Sequence, residues 1–332
     1  MAIESLSTIL KTFHPTAPGA DIFGLLRIKR PNSSYAEILL SISVGPTIVE
    51  ALQGLSVFLY EPDSVYTKFE FAAKFGQGGY GKVYIARQRA TGQLCVVKAI
   101  QRTWQTPTPE KEANIIAKSK HPHIVGIFGA FETANLVHIA MELVPIGSLS
   151  LYLKETSISP GEDTSRDIIA QVNSALLYLH ARGVAHRDIK PENVFCFKVK
   201  PKMVVKLTDF GLAEVTERID PDARTTRCGT LSYMAPELHS GLRNYNTKID
   251  MWSLGVMMFF LLSFSLPFDV SFGPVTIQMY NIRWHLIGAI TDDARSLIGM
   301  LLHINVPTQA SSKTGDNHYW LYGANRLNQV PQ

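Results

Sequence analysis

The hydrophobic and polar positions divide the chain into a strand-rich part followed by a helix-rich part. Apolar, β-branched runs bounded by turn residues predict strands. We expect five of them, at 69–75, 82–87, 94–100, 125–131 and 136–142. One helix falls among them, because Thr108 and Pro109 are favourable N-cap and first-turn residues. This part of the chain predicts a small antiparallel sheet lobe with one helix.

The pattern becomes helical after a break at Pro145-Ile146-Gly147. Apolar residues then repeat at i, i+3, i+4 and i+7, namely at Ile168, Ile169, Val172, Ala175, Leu176 and Leu179. The most apolar run, 254–262, is shorter than the roughly 20 residues that span a bilayer, and it predicts a buried helix. We therefore expect an α+β fold in which a small five-stranded lobe precedes a larger, mainly helical lobe.

Composition narrows the class of protein. The 332 residues suit one large two-lobed domain or two domains, and 46% hydrophobic content is ample for a core. A net charge of +4 from scattered basic residues does not indicate nucleic-acid binding. Three cysteines without framework spacing, and Glu4 where a secretory signal carries positive charge, favour an intracellular protein. We expect a cytoplasmic or nuclear location, no membrane attachment, and an N-terminal extension over residues 1–65.

A glycine-rich stretch, 76–81, has the spacing GxGxxG. A dinucleotide-binding fingerprint requires a helix directly afterwards, whereas 83–86 is β-branched and aromatic and predicts a strand. A P-loop requires Ser or Thr where this chain has Val83. Two readings remain: an ordinary hairpin turn, or a hairpin whose glycines let the backbone close over phosphates.

Lys98 lies inside a predicted strand, where an unpaired charge is costly to bury. Either its stem reaches the sheet edge or it has an acidic partner. Glu112 is the better candidate, because it shares a helix face with Ile115 and Ile116. Glu110 is the competing one, although a first-turn position explains an acidic residue without a partner.

Charge is concentrated in the stretch His186-Arg187-Asp188-Ile189-Lys190-Pro191-Glu192-Asn193. It contains a carboxylate, cations and an amide within eight residues and is stiffened by a proline. Phosphoryl transfer needs this set, with a carboxylate to orient a hydroxyl, cations for phosphate oxygens and oxygen ligands for magnesium. Asp209-Phe210-Gly211 follows two further short predicted strands. The two segments together predict a site for phosphoryl transfer.

In this order and spacing the motifs resemble the protein kinase superfamily over about residues 69–305. The matching segments are the glycine-rich loop 76–83, Lys98 and Glu112, the catalytic loop 186–193, the DFG motif 209–211, Ala235-Pro236-Glu237, and the buried helix that starts at 250–255. The resemblance implies a small lobe at 69–142, a hinge at 142–147 and a large lobe at 148–305. It also implies ATP and Mg²⁺ as cofactors and proteins with Ser or Thr acceptors as substrates.

The same resemblance assigns roles to individual residues. Asp188 would accept the proton of the substrate hydroxyl, and Lys190 would steady the transferring phosphoryl group. Lys98, paired with Glu112, would hold the nonterminal phosphates. Residues Asn193 and Asp209 would ligate magnesium. The nucleotide-binding set would be Gly76, Gly78, Gly81, Val83, Val96, Lys98, Met141, Glu142, Val144 and Phe195.

Two features favour the serine/threonine class, and the order Thr225-Thr226-Arg227-Cys228-Gly229-Thr230 most resembles the calmodulin-dependent and checkpoint kinases. Lys190 stands two residues after Asp188, and Thr230 precedes the Ala-Pro-Glu motif. By the same resemblance Thr226 would be phosphorylated, by an upstream kinase or in trans, and Arg187 would bind that phosphate. The alternative is that the threonines there are plain loop residues.

The C-terminal part departs from the family pattern. Val306 and Gln309 stand where the family has a proline and an arginine that pairs with Glu237, so Arg295 or Arg326 would have to substitute. Residues 309–332 are polar without helical period, and 306–332 are expected to be an atypical tail, for which disorder is one alternative. A second functional hypothesis follows: a kinase-fold scaffold or regulator with weak turnover.

Overall fold

The computed structural model describes residues 22–29, 35–42, 61–62, 64–78, 81–101, 109–132, 136–199, 202–215, 230–239, 246–269 and 281–322. The chain forms two compact units, residues 1–147 and 148–332. The first is built mainly from strands and the second mainly from helices. The α+β class predicted from the hydrophobic pattern, with a sheet lobe followed by a helical lobe, is confirmed.

The first unit is built around one mixed sheet. Its elements are β3 (Glu61–Pro62), α1 (Ser64–Lys68), β4 (Phe69–Gly78), β5 (Gly81–Gln88), β6 (Leu94–Gln101), α2 (Pro109–Lys118), β7 (Ile127–Glu132) and β8 (Leu136–Glu142). The strand order is β3-β7-β8-β6-β5-β4, antiparallel except that β3 runs parallel to β7. The five strands and the helix expected over 69–142 are all present, and β3 and α1 precede them. Both additions are too short to show a hydrophobic period.

Two further strands, β1 (Ile22–Lys29) and β2 (Tyr35–Ile42), pair antiparallel with each other. Both strands lie in the segment 1–65 that the sequence predicts as an N-terminal extension. The core beneath the main sheet is Val65, Phe69, Ala86, Cys95, Val97, Phe131 and Ala140. Burial there raises the pKa of the Cys95 thiol to about 12, which leaves it an unreactive core residue.

The second unit contains the helices that the periodicity predicts and several short strands. The elements are β9 (Gly147–Ser148, across the boundary), α3 (Leu149–Thr156), α4 (Gly161–His180), β10 (Val184–Ala185), β11 (Val194–Val199), β12 (Lys202–Leu207), β13 (Glu214–Val215), α5 (Pro236–His239), α6 (Lys248–Ser263), α7 (Asp292–Leu301) and α8 (Ser312–Asp316). Helix α6 is buried around most of its circumference, which explains its continuous apolar run. Of the helices described in either unit, none is long and apolar enough to cross a membrane.

Close packing of α6 on α7 depends on Gly255. A Cβ at this position would lie 2.8 Å from Leu301 Cβ and 2.9 Å from Leu302 Cδ2. Glycine therefore lets the two helices approach where any side chain would push them apart. The contact fixes α6, whose first turn carries Asp250.

The segment 306–322, which the sequence predicts as part of an atypical tail without helical period, is folded. This segment contains α8 and buries Trp320 and Leu321, at 3% and 1% exposed. Gln309, at the family's arginine position, is 4% exposed and donates from Nε2 to Leu301 O at 2.8 Å. The sequence missed this because the segment is held by buried polar side chains rather than by an apolar period. Residues 323–332 lie outside the described part of the chain.

Candidate active site

The Asp188 carboxylate is surrounded by donors within the helical unit. Lys190 Nζ lies 2.8 Å from Asp188 Oδ2, and Asn193 Nδ2 donates to the same oxygen at 2.7 Å. The backbone N–H of Thr230 donates to Oδ1 at 3.3 Å. Lys190 Nζ also donates to Thr230 Oγ1 at 2.7 Å, so the two serine/threonine-class residues meet. The catalytic loop therefore presents one oriented carboxylate beside one cation.

His186 holds the backbone of this loop from beneath. Its ring is fully buried; Nε2 lies 3.0 Å from the carbonyl oxygen of Thr208, and Nδ1 accepts the backbone N–H of Asp188 at 3.3 Å. Because a carbonyl can only accept, the proton belongs on Nε2. Burial lowers the pKa of His186, which favours this neutral form. The imidazole is a structural link between the catalytic loop and the strand that leads to Asp209.

Asp250 anchors the same loop from α6. Its carboxylate, 0% exposed, accepts the backbone N–H of His186 and that of Arg187, each at 2.8 Å, and faces His180 Nε2 at 2.9 Å. Burial alone would raise the pKa of Asp250, but these hydrogen bonds and the His180 ring lower it. Arg187 has φ of +68°, an unfavourable value for a residue with a side chain. The charged carboxylate stabilises that turn immediately before Asp188.

The Arg187 side chain turns towards the segment after the DFG motif. Its Nε donates to Leu212 O, and Nη1 forms an ion pair with Glu214 Oε2. Glu214 lies on β13, directly opposite Ala185 on β10, so the sheet pairing sets the contact. The predicted phosphorylation position, Thr226, lies outside the described residues. Arg187 is thus already neutralised by a carboxylate of the chain itself.

Asn193 and Asp209 lie on neighbouring segments. Thr208 N donates to Asn193 O at 2.9 Å, and Asp209 is the next residue. Asn193 Nδ2 donates to both Asp188 O and Asp188 Oδ2, which leaves Oδ1 without a donor among the described residues. An amide oxygen and a carboxylate suit magnesium, which usually takes one or two protein ligands and completes its shell with phosphates and water. The residues therefore fit the metal that the family implies.

A small cleft adjoins Asp188 within the helical unit. It is lined by Arg187, Asp188, Thr230, Tyr233, Met234, Leu238, Ile249 and Ser253. Burial raises the pKa of the Tyr233 phenol, which stays neutral. The cleft has an apolar wall with the Asp188 carboxylate at its edge.

The sheet unit brings Lys98 and Glu112 together. Lys98 Nζ lies 2.7 Å from Glu112 Oε1, with the side chains 12% and 4% exposed. Lys98 is placed by β6, between Val83 on β5 and Ile139 on β8, and Glu112 by α2. The pair solves the burial problem of a charged residue inside a strand. Of the two acidic candidates, the structure pairs Glu112 with the lysine.

The glycine-rich hairpin and the predicted adenine residues lie on the same sheet. Gly76 faces Val83 and Gly78 faces Gly81 across β4 and β5. A Cβ at Gly81 would overlap the Ala99 carbonyl, so only glycine permits this approach of β5 to β6. Val96 pairs with Met141 across β6 and β8; Met141 and Val144 are buried, and the Glu142 carboxylate accepts Gly126 N at 2.6 Å. Phe195 lies on β11 of the other unit.

Sequence reasoning missed two residues of the site and left a third without a role of its own. His180 ends α4 and reads as an ordinary basic residue in a last turn. Glu214 is a single acidic residue after a glycine motif, and its pairing depends on the β10–β13 contact. Asp250 was placed only at the start of a buried helix, although its carboxylate organises the loop. An acidic residue at the start of an otherwise apolar run was the one available signal for Asp250.

Glu237, by contrast, makes no ion pair among the described residues. Arg295, one proposed substitute, lies over the Trp284 ring at 4.8 Å, and Arg326 lies outside the described part. Burial raises the pKa of Glu237, opposed only by its own backbone N–H.

Comparison with known proteins also points to protein kinases. The family model described as protein kinase domain matches residues 69–321. Myosin light chain kinase A from Dictyostelium discoideum is 30% identical over 271 residues, covering 79% of this chain and 90% of the relative. CBL-interacting serine/threonine-protein kinase 14 from Arabidopsis thaliana is 33% identical, covering 74% of this chain and 56% of the relative. Serine/threonine-protein kinase RAD53 from Saccharomyces cerevisiae is 32% identical, covering 74% and 32%.

The chain thus spans most of one relative and about half or less of the other two. The match through residue 321 also includes the segment that the sequence pattern left as a tail. Motifs, geometry and relatives agree, and the chain belongs to the protein kinase family, among the ATP-dependent serine/threonine protein kinases.

Proposed function

We propose that this protein transfers the γ-phosphoryl group of ATP to a serine or threonine hydroxyl, with Asp188 and Lys190 as the reacting pair. The observation that carries the proposal is the 2.8 Å contact between Lys190 Nζ and Asp188 Oδ2, with side chains only 17% and 10% exposed. In this arrangement the carboxylate orients the acceptor hydroxyl and takes its proton. The ammonium group stabilises charge on the transferring phosphoryl.

The other residues position the nucleotide. Lys98, fixed by Glu112, binds the nonterminal phosphates, while the Gly76–Gly81 backbone closes over them without side-chain obstruction. Asn193 and Asp209 would hold magnesium, which supplies positive charge to the phosphates when bound. Val83, Val96, Met141 and Val144 contribute apolar surface for adenine on the sheet unit.

Phosphate incorporation with purified protein, ATP and a generic serine/threonine substrate tests the activity. We expect turnover by the wild type and a loss of at least about a thousandfold for Asp188→Asn and for Lys98→Met. Matched controls are Asp163→Asn and Lys154→Met, exposed residues outside the site, which should retain activity. Equal silence of the wild type and both site variants, also after phosphorylation of Thr226, would contradict the enzyme and favour the scaffold hypothesis.

Regulation at Thr226 is part of the proposal. Its support is Arg187, which is adjacent to Asp188 and contacts the segment after the DFG motif through its ion pair with Glu214. A phosphate on Thr226 would give the same guanidinium a second anionic partner beside Glu214. Its source would be an upstream kinase or a second copy of this protein acting in trans.

The neighbouring threonine offers the control for this step. After incubation with ATP, Thr226→Ala should be about tenfold less active than the wild type. Thr225→Ala should be activated to the same extent as the wild type. Site mapping by mass spectrometry checks that Thr226 carries the phosphate. Equal activation of the wild type and Thr226→Ala would rule out the switch without affecting the assignment of Asp188.

A further inference from the structure

Helix α8 contacts the residues that hold the catalytic loop through one side chain. Ser312, 4% exposed, opens α8, and its Oγ lies 3.1 Å from His180 Nδ1. The other ring nitrogen, Nε2, lies 2.9 Å from Asp250 Oδ2. Asp250 in turn accepts the backbone N–H groups of His186 and Arg187. A continuous row of hydrogen bonds therefore joins the C-terminal segment to the catalytic loop.

The proton positions in this row follow from the chemistry of its members. The Asp250 carboxylate, which can only accept, requires the proton on His180 Nε2. Nδ1 of the neutral ring is then an acceptor, and Ser312 is the one described residue that bonds it. If the ring gains a second proton, the same hydroxyl accepts from Nδ1. In both states Ser312 holds the ring with Nε2–H directed at Asp250.

The fold places Ser312 firmly. Asn173 lies two turns before His180 on the same face of α4, and its Nδ2 donates to Ser312 O at 3.1 Å. A Cβ at Gly315 would lie 3.1 Å from Asn173 Oδ1, so glycine lets α8 sit directly on that face. The His180 side chain, at 6% exposed, has little room to turn elsewhere. Backbone and side chain of Ser312 are thus both bound by one helix.

We infer that Ser312 is a positioning residue for phosphoryl transfer. Its hydroxyl fixes the orientation of His180, His180 completes the donors around Asp250, and Asp250 holds the left-handed turn at Arg187 that aims Asp188. The residue touches no reacting atom and acts only through this row. The inference rests on the proposed role of Asp188. In the sequence alone, Ser312 is only a polar residue in a polar segment.

Ser312→Ala tests it, with Ser311→Ala as the matched control. Ser311 caps the same helix through Thr314 N at 3.1 Å but does not contact His180. For Ser312→Ala we expect kcat to fall about three- to tenfold, the loss of one buried hydrogen bond, with KM for ATP within about twofold. For Ser311→Ala we expect a lower melting temperature and an unchanged kcat.

A spectroscopic readout separates ring positioning from general loosening. Two-dimensional ¹⁵N–¹H spectra of the histidine rings in the full chain, assigned with His180→Gln, report which nitrogen carries the proton. The wild type should show His180 protonated at Nε2, and Ser312→Ala should show an averaged or altered pattern.

The inference fails if Ser312→Ala keeps both wild-type kcat and the wild-type His180 pattern, or if Ser311→Ala lowers kcat equally. A wild type without kinase activity would refute the proposed function instead. In that case an unchanged His180 pattern in Ser312→Ala would also refute the positioning of the ring.

Discussion

Asp250 and Glu237 are two acidic residues of the helical unit that differ in partners more than in depth. Each lies in the first turn of a helix, and burial by itself raises the pKa of both carboxyl groups. Asp250, the more deeply buried, nevertheless has a lowered pKa, because His180 and two backbone N–H groups face it. Glu237 has a raised pKa. Donors, rather than distance from solvent, decide the direction of each pKa shift.

The difference follows from what the neighbouring residues already bind. Around Asp250 the donors are backbone groups of the catalytic loop, which the fold cannot withdraw. Gln309, which stands at the family position of the Glu237 partner, donates to Leu301 O, and Arg295 lies over the Trp284 ring. Catalytic geometry is therefore held where the polar groups are satisfied, and Glu237 is left as a local weak point of the helical unit.

The largest effect is expected for Asp250→Asn. The amide has one acceptor oxygen instead of two, and its NH₂ group would face N–H donors. We expect the free energy of unfolding to fall by about 3 kcal/mol, with a loss of at least about a hundredfold in kcat. Urea unfolding and steady-state kinetics measure the two effects.

Asp292→Asn is the control for Asp250→Asn, since Asp292 is an exposed acidic residue in the first turn of α7 and should cost only about 0.5 kcal/mol. If both variants behave alike, the buried donors around Asp250 carry no weight and the comparison with Glu237 collapses.

Glu162 sharpens the comparison as an intermediate case. Its side chain is 18% exposed, yet it accepts from Thr291 N at 2.9 Å and from Trp320 Nε1 at 2.8 Å, with Arg166 Nη2 at 3.6 Å. Although burial opposes it, these donors lower the pKa of Glu162. Glu162→Gln should therefore reduce the free energy of unfolding by about 1–2 kcal/mol.

The lowered pKa of Glu162 determines how its contribution to stability changes with pH. A lowered pKa means that the carboxylate stabilises the fold above the pKa of the unfolded chain and that this contribution disappears as the pH falls. The wild type and Glu162→Gln should thus converge in acid. Asp163, the next residue, is 93% exposed and pairs only with Arg166 among these groups. Asp163→Asn should therefore leave the free energy of unfolding nearly unchanged at every pH. Equal losses for the two variants would show that the attachment of Trp320 does not depend on Glu162.

The hydrophobic period predicted most of the fold, because long apolar repeats such as that of α4 and continuous apolar runs such as that of α6 are set locally. It failed for β3, α1 and α8, which have two to five residues each. Elements of this length are stabilised by their neighbours, and a short sequence window contains no information about those neighbours.

The site could be predicted as residue types but not as contacts. The motifs named Lys98, Glu112, Asp188 and Asn193, since their chemistry is tied to short, ordered spacings. The Arg187–Glu214 ion pair and the His180–Asp250 contact join segments 27 and 70 residues apart, and each requires the chain to be folded first. Such supporting residues carry no local signature, so only the structure identifies them.

The smallest effect is expected for Glu237→Gln. Unlike Asp250→Asn and Glu162→Gln, this substitution should stabilise the fold. A raised pKa means that the folded chain favours the protonated form, so ionisation costs stability as the pH rises through the folded pKa. The neutral amide avoids this cost, and we expect the free energy of unfolding to rise by up to about 1 kcal/mol at pH 8. Below the unfolded pKa, near about 4, wild type and variant should be equal. Paired urea unfolding curves at pH 8 and pH 4 measure the difference. A destabilised variant at pH 8 would mean that Glu237 has a cationic partner after all, in which case Arg326→Gln should reproduce the loss.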